Sequence, residues 1–360
     1  MSFPIDNKEL TADMILDRST IIYGASGSGK TTIAIDYLKV LKGKIEQVVI
    51  FSPTENQNMS YSQPGREIVP IQLIHSTVTD DKLKTIEERQ QALVDVYNRA
   101  RKPAVMLSLY SRIKNANTEA IFRKINKIYA EQIAATRKTA GYDVESDLIK
   151  LKQTWESYVM TALEKIIINY ADKLVEMAKP AAAASFTADE LFTCKFITLN
   201  PRLLVIFDDI TAEIESIKKC KYLKNFLFKG RHMKMTILFL LHTDKAIATE
   251  IRSNAHITIF ACKKSMGAYF ARNASFIDND DRERIEYYRS LIRCGEPDQY
   301  GVKKYTKLIY INASDTFYTY TARTHAHFSF CPPIVMKYCA QLSAVKNCAN
   351  SDNRFARLFK

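Results

Sequence analysis

Gly24-Ala25-Ser26-Gly27-Ser28-Gly29-Lys30-Thr31 decides how this chain is read, because it fits G-x-x-x-x-G-K-[ST] at every fixed position. Glycines let the backbone curl until its N–H groups point inward at phosphate oxygens, and a helix opening there adds the positive end of its dipole. The motif needs a strand before it and a helix after it. Thr20–Tyr23 (TIIY) has the β-branched, apolar character of a buried strand, and the stretch from Thr32 to about Leu41 has helical spacing. The segment from Gly24 to Thr32 is therefore expected to bind a nucleotide, with Lys30 on the β- and γ-phosphates and the Thr31 hydroxyl on Mg2+.

A second decisive stretch is Leu203-Leu-Val-Ile-Phe-Asp208-Asp209, an apolar strand that ends in two carboxylates. Beside a P-loop, Asp208 is expected to hold magnesium through water, and Asp209 to orient and deprotonate an attacking water. Thr236–Leu241 (TILFLL) is another apolar strand, tipped by His242, whose side chain is placed to touch the γ-phosphate or that water as a neutral donor. A strand-end histidine without such a role reads the same way. Transferring a phosphoryl group also needs arginine, and Arg231 (in Lys229-Gly-Arg-His232) and Arg252 (in Ile251-Arg-Ser-Asn-Ala255) are the candidates. Both are expected near the catalytic edge, for use by a neighbouring subunit.

Around these motifs the chain alternates apolar strands with helices. Gln47–Phe51 and His256–Cys262 read as further strands, Ile71–His75 as another, and Glu55–Gly65 as a polar loop. Helices are expected over Glu213–Leu227, Asp244–Arg252 and Asp280–Arg293, and a terminal hairpin over Thr306–Ile311 and Phe317–Thr321. Alternation of this kind implies an α/β fold with a mostly parallel sheet covered by helices on both faces. Between the two motif-bearing parts lies a block of helical spacing: Asp80–Arg101, then, past a break at Pro103, Thr118–Thr139 and Val144–Lys179. Pro180 and the alanines 181–184 read as a linker. The expectation is one P-loop domain over 1–360 with a helical insertion at 80–185, serving either as a docking arm or as a cover for the sheet.

Composition sets the class of partner. The formal net charge is +13 over 360 residues, which favours an anionic partner such as nucleic acid. The run Lys218–Lys234 carries six lysines, Arg231 and His232, interleaved with Tyr222, Phe226 and Phe228, and is a candidate surface for DNA backbone phosphates. A solvated helix face explains the lysines as well. Seven cysteines without a Cys-x-x-Cys pair suit free thiols in a reducing compartment. His325, His327, Cys331, Cys339 and Cys348 lack the close ligand pairs of zinc sites. No basic, apolar leader and no membrane-length apolar run is present, so the expectation is a soluble, intracellular protein.

The order of these elements resembles the genome-packaging ATPases of large double-stranded DNA viruses, the poxvirus-type members of the FtsK/HerA superfamily. The resemblance covers about 20–60 and 200–320 and leaves the helical middle unmatched. Its narrower part lies in Gly230-Arg231-His232 and Arg252-Ser253-Asn254-Ala255; the P-loop and Asp-Asp pair mark P-loop ATPases at large. It implies a RecA-like fold, ATP and Mg2+ as ligands, and a homo-oligomeric ring moving double-stranded DNA into a capsid. Capsid or portal-vertex proteins are then partners, and the host cytoplasm (its viral factory) and the virion are the locations. Two departures stand out. His242 occupies a position where relatives more often have Gln or Asn, and Asp209 one where the wider superfamily usually has Glu. Rival readings are a nucleoside-type kinase, whose loop is similar, a nucleotide-locked DNA-binding protein, and another DNA translocase or helicase.

Overall fold

The computed structural model describes residues 3–138, 144–179, 185–217, 220–272, 279–297 and 303–351. Its strands are β1 (Asp6–Asn7), β2 (Ser19–Tyr23), β3 (Gln47–Phe51), β4 (Ile74–His75), β5 (Leu203–Asp208), β6 (Met235–Leu241), β7 (Ile257–Phe260), β8 (Glu296–Pro297), β9 (Lys303–Lys304), β10 (Thr306–Ile311) and β11 (Thr316–Thr321). Nine of them form one sheet in the order β1-β11-β10-β7-β2-β6-β5-β3-β4. The pairs from β7 across to β4 are all parallel, and β10 joins β7 antiparallel. The expected hairpin is present, with Thr306 opposite Thr321 and Ile311 opposite Thr316.

A strand's side chains alternate between faces, so a strand buried on both sides must be apolar at every position. β5 shows this. Leu203, Val205 and Phe207 enter one core, while Leu204 and Ile206 enter the other. On the first face Phe51, Phe207 and Phe239 stack across three neighbouring strands, with ring centroids 5.2 and 4.6 Å apart.

Helices supply both covers. In chain order they are α1 (Ala12–Ile15), α2 (Lys30–Leu41), α3 (Glu55–Asn58), α4 (Asp80–Arg99), α5 (Pro103–Ile113), α6 (Ala116–Lys138), α7 (Val144–Asn169), α8 (Ala171–Met177), α9 (Ala188–Phe196), α10 (Thr211–Ile217), α11 (Lys221–Lys229), α12 (Thr249–Asn254), α13 (Lys263–Arg272), α14 (Asn279–Leu291) and α15 (Pro333–Ser351). The second core takes Ile33, Tyr37, Leu38 and Leu41 of α2, and the first takes Leu223 and Phe226 of α11, Met266 of α13 and Ile285 of α14. The expected fold, an α/β P-loop NTPase sheet covered on both faces, is the fold observed.

The chain divides into two compact units, 1–91 with 201–360, and 92–200. The second unit is helical and folds around its own cluster of Met106, Leu109, Ile113, Leu163, Ile166, Ile167 and Leu174. Its limits differ from the expected 80–185. The early turns of α4 bury Leu83 and Ile86 in the sheet's first core, whereas α9, opened by a Thr187–Glu190 capping box, belongs to the insertion. Pro103 begins a helix instead of merely interrupting one, because proline's missing N–H costs nothing in a first turn. The 180–184 linker lies outside the described residues. Among the described residues no helix is long and apolar enough to cross a membrane.

Candidate functional site

The strand order places the site. β6 lies between β2, which feeds the P-loop, and β5, which carries the acid pair, and all three run parallel. Their carboxyl ends therefore meet on one edge, with His242 between the two motifs. The Gly24 N–H donates to the Leu241 carbonyl at 3.0 Å, and the Asp209 N–H reaches the Leu240 carbonyl at 3.4 Å.

Two P-loop glycines are required sterically. A Cβ on Gly24 would stand 2.2 Å from the Ser28 hydroxyl and 2.8 Å from the Ala261 Cβ, so no larger residue fits. Gly29 caps α2 with φ of 89°, in the left-handed region that favours glycine. Lys30, 8% exposed, donates from Nζ to the loop's own carbonyls, Gly24 O at 2.8 Å and Ala25 O at 3.1 Å. Burial pushes its pKa down, and the charges of Asp208 and Asp209 oppose that fall. This coupling ties the P-loop lysine electrostatically to the acid pair.

Asp208 is 8% exposed, and burial raises its pKa to about 6 despite a hydrogen bond that favours the carboxylate. The donor is the Tyr61 hydroxyl, 2.7 Å from Oδ2. Tyr61 is fully buried and comes from the segment expected to be a polar loop. Its place is fixed by Glu55, whose carboxylate accepts the N–H groups of Ser60, Tyr61 and Ser62 at 3.1, 2.8 and 2.8 Å. The only trace of this in the sequence is a tyrosine inside a polar stretch, with no period to mark it.

Asp209 adopts φ of 55°, a left-handed conformation uncommon outside glycine. Its Oδ1 lies 2.8 Å from His242 Nε2, and both side chains are partly exposed, at 37% and 33%. The acid pair is thus split: one carboxylate is buried against a tyrosine, and the other is half open to water and held by a histidine.

The donor set fits a nucleotide with magnesium. Among the described residues the buried Ser28 hydroxyl finds no hydrogen-bond partner, and the Thr31 hydroxyl and Asp208 carboxylate are hard oxygen ligands of the kind Mg2+ takes.

Of the two arginines, Arg231 is not where the sequence reading put it. Arg231 follows α11 and lines a cavity of about 180 Å³ with Arg18, Ser19, Asn254 and His256, at the amino ends of the strands and away from the P-loop. Arg252 is tied down within its own chain, donating to the Asp244 carbonyl and carboxylate at 3.0 and 3.2 Å and to Thr249 at 2.8 Å. Arg272 grips the same carboxylate. The placement of Arg231 at the catalytic edge is corrected by the α11–β6 turn, which carries it to the strands' amino ends beside Ser19 and Met235, whereas the Asp244 that holds Arg252 follows the carboxyl end of β6.

In the basic run, Lys218 and Lys219 lie outside the described residues. α11 buries Leu223, Phe226 and Leu227, and Lys224 pairs with Glu250 at 3.2 Å. Near the C-terminus, His325 bonds to the buried Asp36 of α2 at 2.6 Å, Cys331 and Cys339 are buried, and no metal-sized His/Cys/Asp/Glu group occurs among the described residues.

Comparison with known proteins agrees with the resemblance read from the sequence. Residues 186–275 match the family described as Poxvirus A32 protein. Over that stretch, from α9 through β5, β6 and β7, the chain is similar to those poxvirus proteins. The protein B354L of African swine fever virus is 27% identical over 364 residues, covering 99% of this chain and 96% of its own. Among solved structures, the genome packaging NTPase B204 of Sulfolobus turreted icosahedral virus 2 aligns at 11% identity and a TM-score of 0.40, over 86% of this chain and 99% of that one. The plasmid coupling protein TrwB aligns at 13% identity and a TM-score of 0.37, over 92% and 91%.

Proposed function

We propose that the protein hydrolyses ATP at the edge where β2, β6 and β5 end, and couples hydrolysis to movement of double-stranded DNA in packaging a viral genome. The convergence of P-loop, acid pair and histidine on that edge carries the reading, with the 2.8 Å Asp209–His242 contact at its centre. Support for the viral task comes from the Gly230-Arg231-His232 and Arg252–Ala255 stretches and from the poxvirus family match across 186–275.

The chemistry follows from the side chains. The Gly24–Thr32 segment receives the nucleotide's phosphates, with loop N–H groups and Lys30 supplying positive charge. Thr31 and Asp208 would hold magnesium, which neutralises charge on the phosphate oxygens. Asp209, open to solvent, accepts the proton of the attacking water, and His242 fixes the carboxylate that does so. Charge that develops on the γ-phosphoryl group is met by an arginine from a neighbouring subunit in a homo-oligomeric ring. Arg231 is exposed, with no carboxylate pairing to it among the described residues, and is therefore the one offered; Arg252 keeps Asp244 neutralised. In this reading the basic face of α11 meets DNA backbone phosphate, and capsid or portal-vertex proteins dock the ring in the cytoplasmic viral factory.

The test is steady-state ATP hydrolysis with and without long double-stranded DNA, run beside Asp209→Asn. DNA-stimulated turnover that vanishes in the variant is expected. Turnover indifferent to DNA but accelerated by a nucleoside would overturn the motor reading in favour of a kinase.

A further inference from the structure

The terminal hairpin brings a lysine to the P-loop. Lys307, the second residue of β10, is 2% exposed, and its Nζ donates to Ser28 O at 2.8 Å, Ala261 O at 3.1 Å and Arg293 O at 3.3 Å. These acceptors belong to the P-loop, to the end of β7 and to the segment after α14, so one ammonium uses its three donors to join three elements. On its other side, Nζ stands 4.0 Å from the point where a Cβ on Gly29 would begin, at the turn that opens α2.

Among the described residues no carboxylate pairs with Lys307: burial pushes its pKa down, and the groups whose charge opposes that are the Cys294 and Cys262 thiols and, after them, the exposed Glu296, which accepts the Cys294 N–H. A buried charge satisfied by neutral carbonyls alone is costly, and folds retain such a group where an opposite charge completes it. The anion that belongs at a helix amino terminus behind a P-loop is phosphate.

We infer that Lys307 is a positioning residue of the nucleotide site, holding the Ser28 carbonyl outward so that the loop's N–H groups face in, and finding its counter-charge in the nucleotide's β- and γ-phosphates. The inference builds on the ATP-binding reading above. It assigns a part of the phosphate site to the terminal hairpin, far along the chain from the loop it serves.

Binding of ATP, ADP and AMP to the full chain, followed by calorimetry at fixed ionic strength, tests it with Lys307→Met, Lys307→Gln and Lys307→Arg. Lys307→Met should weaken ADP and ATP about tenfold or more, through loss of a buried positive charge near the phosphates, and leave AMP nearly unchanged. Lys307→Gln keeps donors for the carbonyls without the charge, and should show the same loss; Lys307→Arg should recover part of it. Unchanged ADP affinity in the Met and Gln variants overturns the inference. So does an equal loss for all three nucleotides, with a lowered melting temperature, which marks a purely structural role. Absence of ATP and ADP binding by the wild-type chain would instead sink the underlying nucleotide reading, a result distinct from either.

Discussion

Replacing Asp208 by Asn should stabilise the nucleotide-free protein while abolishing hydrolysis. The carboxyl is 8% exposed, and burial lifts its pKa from the ordinary 3.8 to about 6. The sign runs against the usual carboxylate case. Because the folded-state pKa is raised, the folded protein holds the proton more tightly than the unfolded chain, and stability is lost as pH rises from about 3.8 through about 6. A shift of about 2 units corresponds to roughly 3 kcal/mol once ionisation is complete. Asn removes that cost and still offers an oxygen to the Tyr61 hydroxyl. The advantage of the variant should therefore be about 1 kcal/mol at pH 4.5 and approach about 3 kcal/mol at pH 8. For a unit of this size the latter amounts to roughly 5–10 °C in melting temperature. Thermal unfolding of both proteins across this range, without nucleotide or magnesium, provides the assay. A variant that melts no higher than wild type at pH 8, or an advantage that does not grow with pH, would refute the reasoning.

Tyr61→Phe removes the 2.7 Å bond that favours the Asp208 carboxylate, so the Asp208 pKa should rise further. The acid limb of kcat/KM against pH should move to higher pH, and an unmoved limb would show that Asp208 titration does not control activity. Arg252→Ala leaves the 3%-exposed Asp244 with Arg272 as its remaining arginine, and should cost roughly 1–3 kcal/mol in chemical denaturation. If instead stability is untouched and hydrolysis fails only in mixed assemblies with wild-type subunits, Arg252 acts in trans after all.

The glycines with Lys30-Thr31 and the uninterrupted apolar, acid-tipped β5 were legible because each is a local signal. A loop that must curl needs glycine where it curls, and a strand buried on both faces must be apolar at consecutive positions. Those requirements act within a few residues, so one chain displays them, and they determined the α/β P-loop fold. The tertiary structure decided what depends on neighbours distant in the chain. Strand order put β6 and His242 between the two motifs, and the α11–β6 turn carried Arg231 away from the expected edge. Tyr61 meets Asp208 across 147 positions and Lys307 meets Ser28 across 279, and neither has a periodic pattern or motif to mark it. A tyrosine in a polar loop and a lysine in a hairpin read as surface residues until folding removes the water around them. Only then does a buried ammonium held by carbonyls or a tyrosine-bound carboxylate acquire the energy that would make it part of a site.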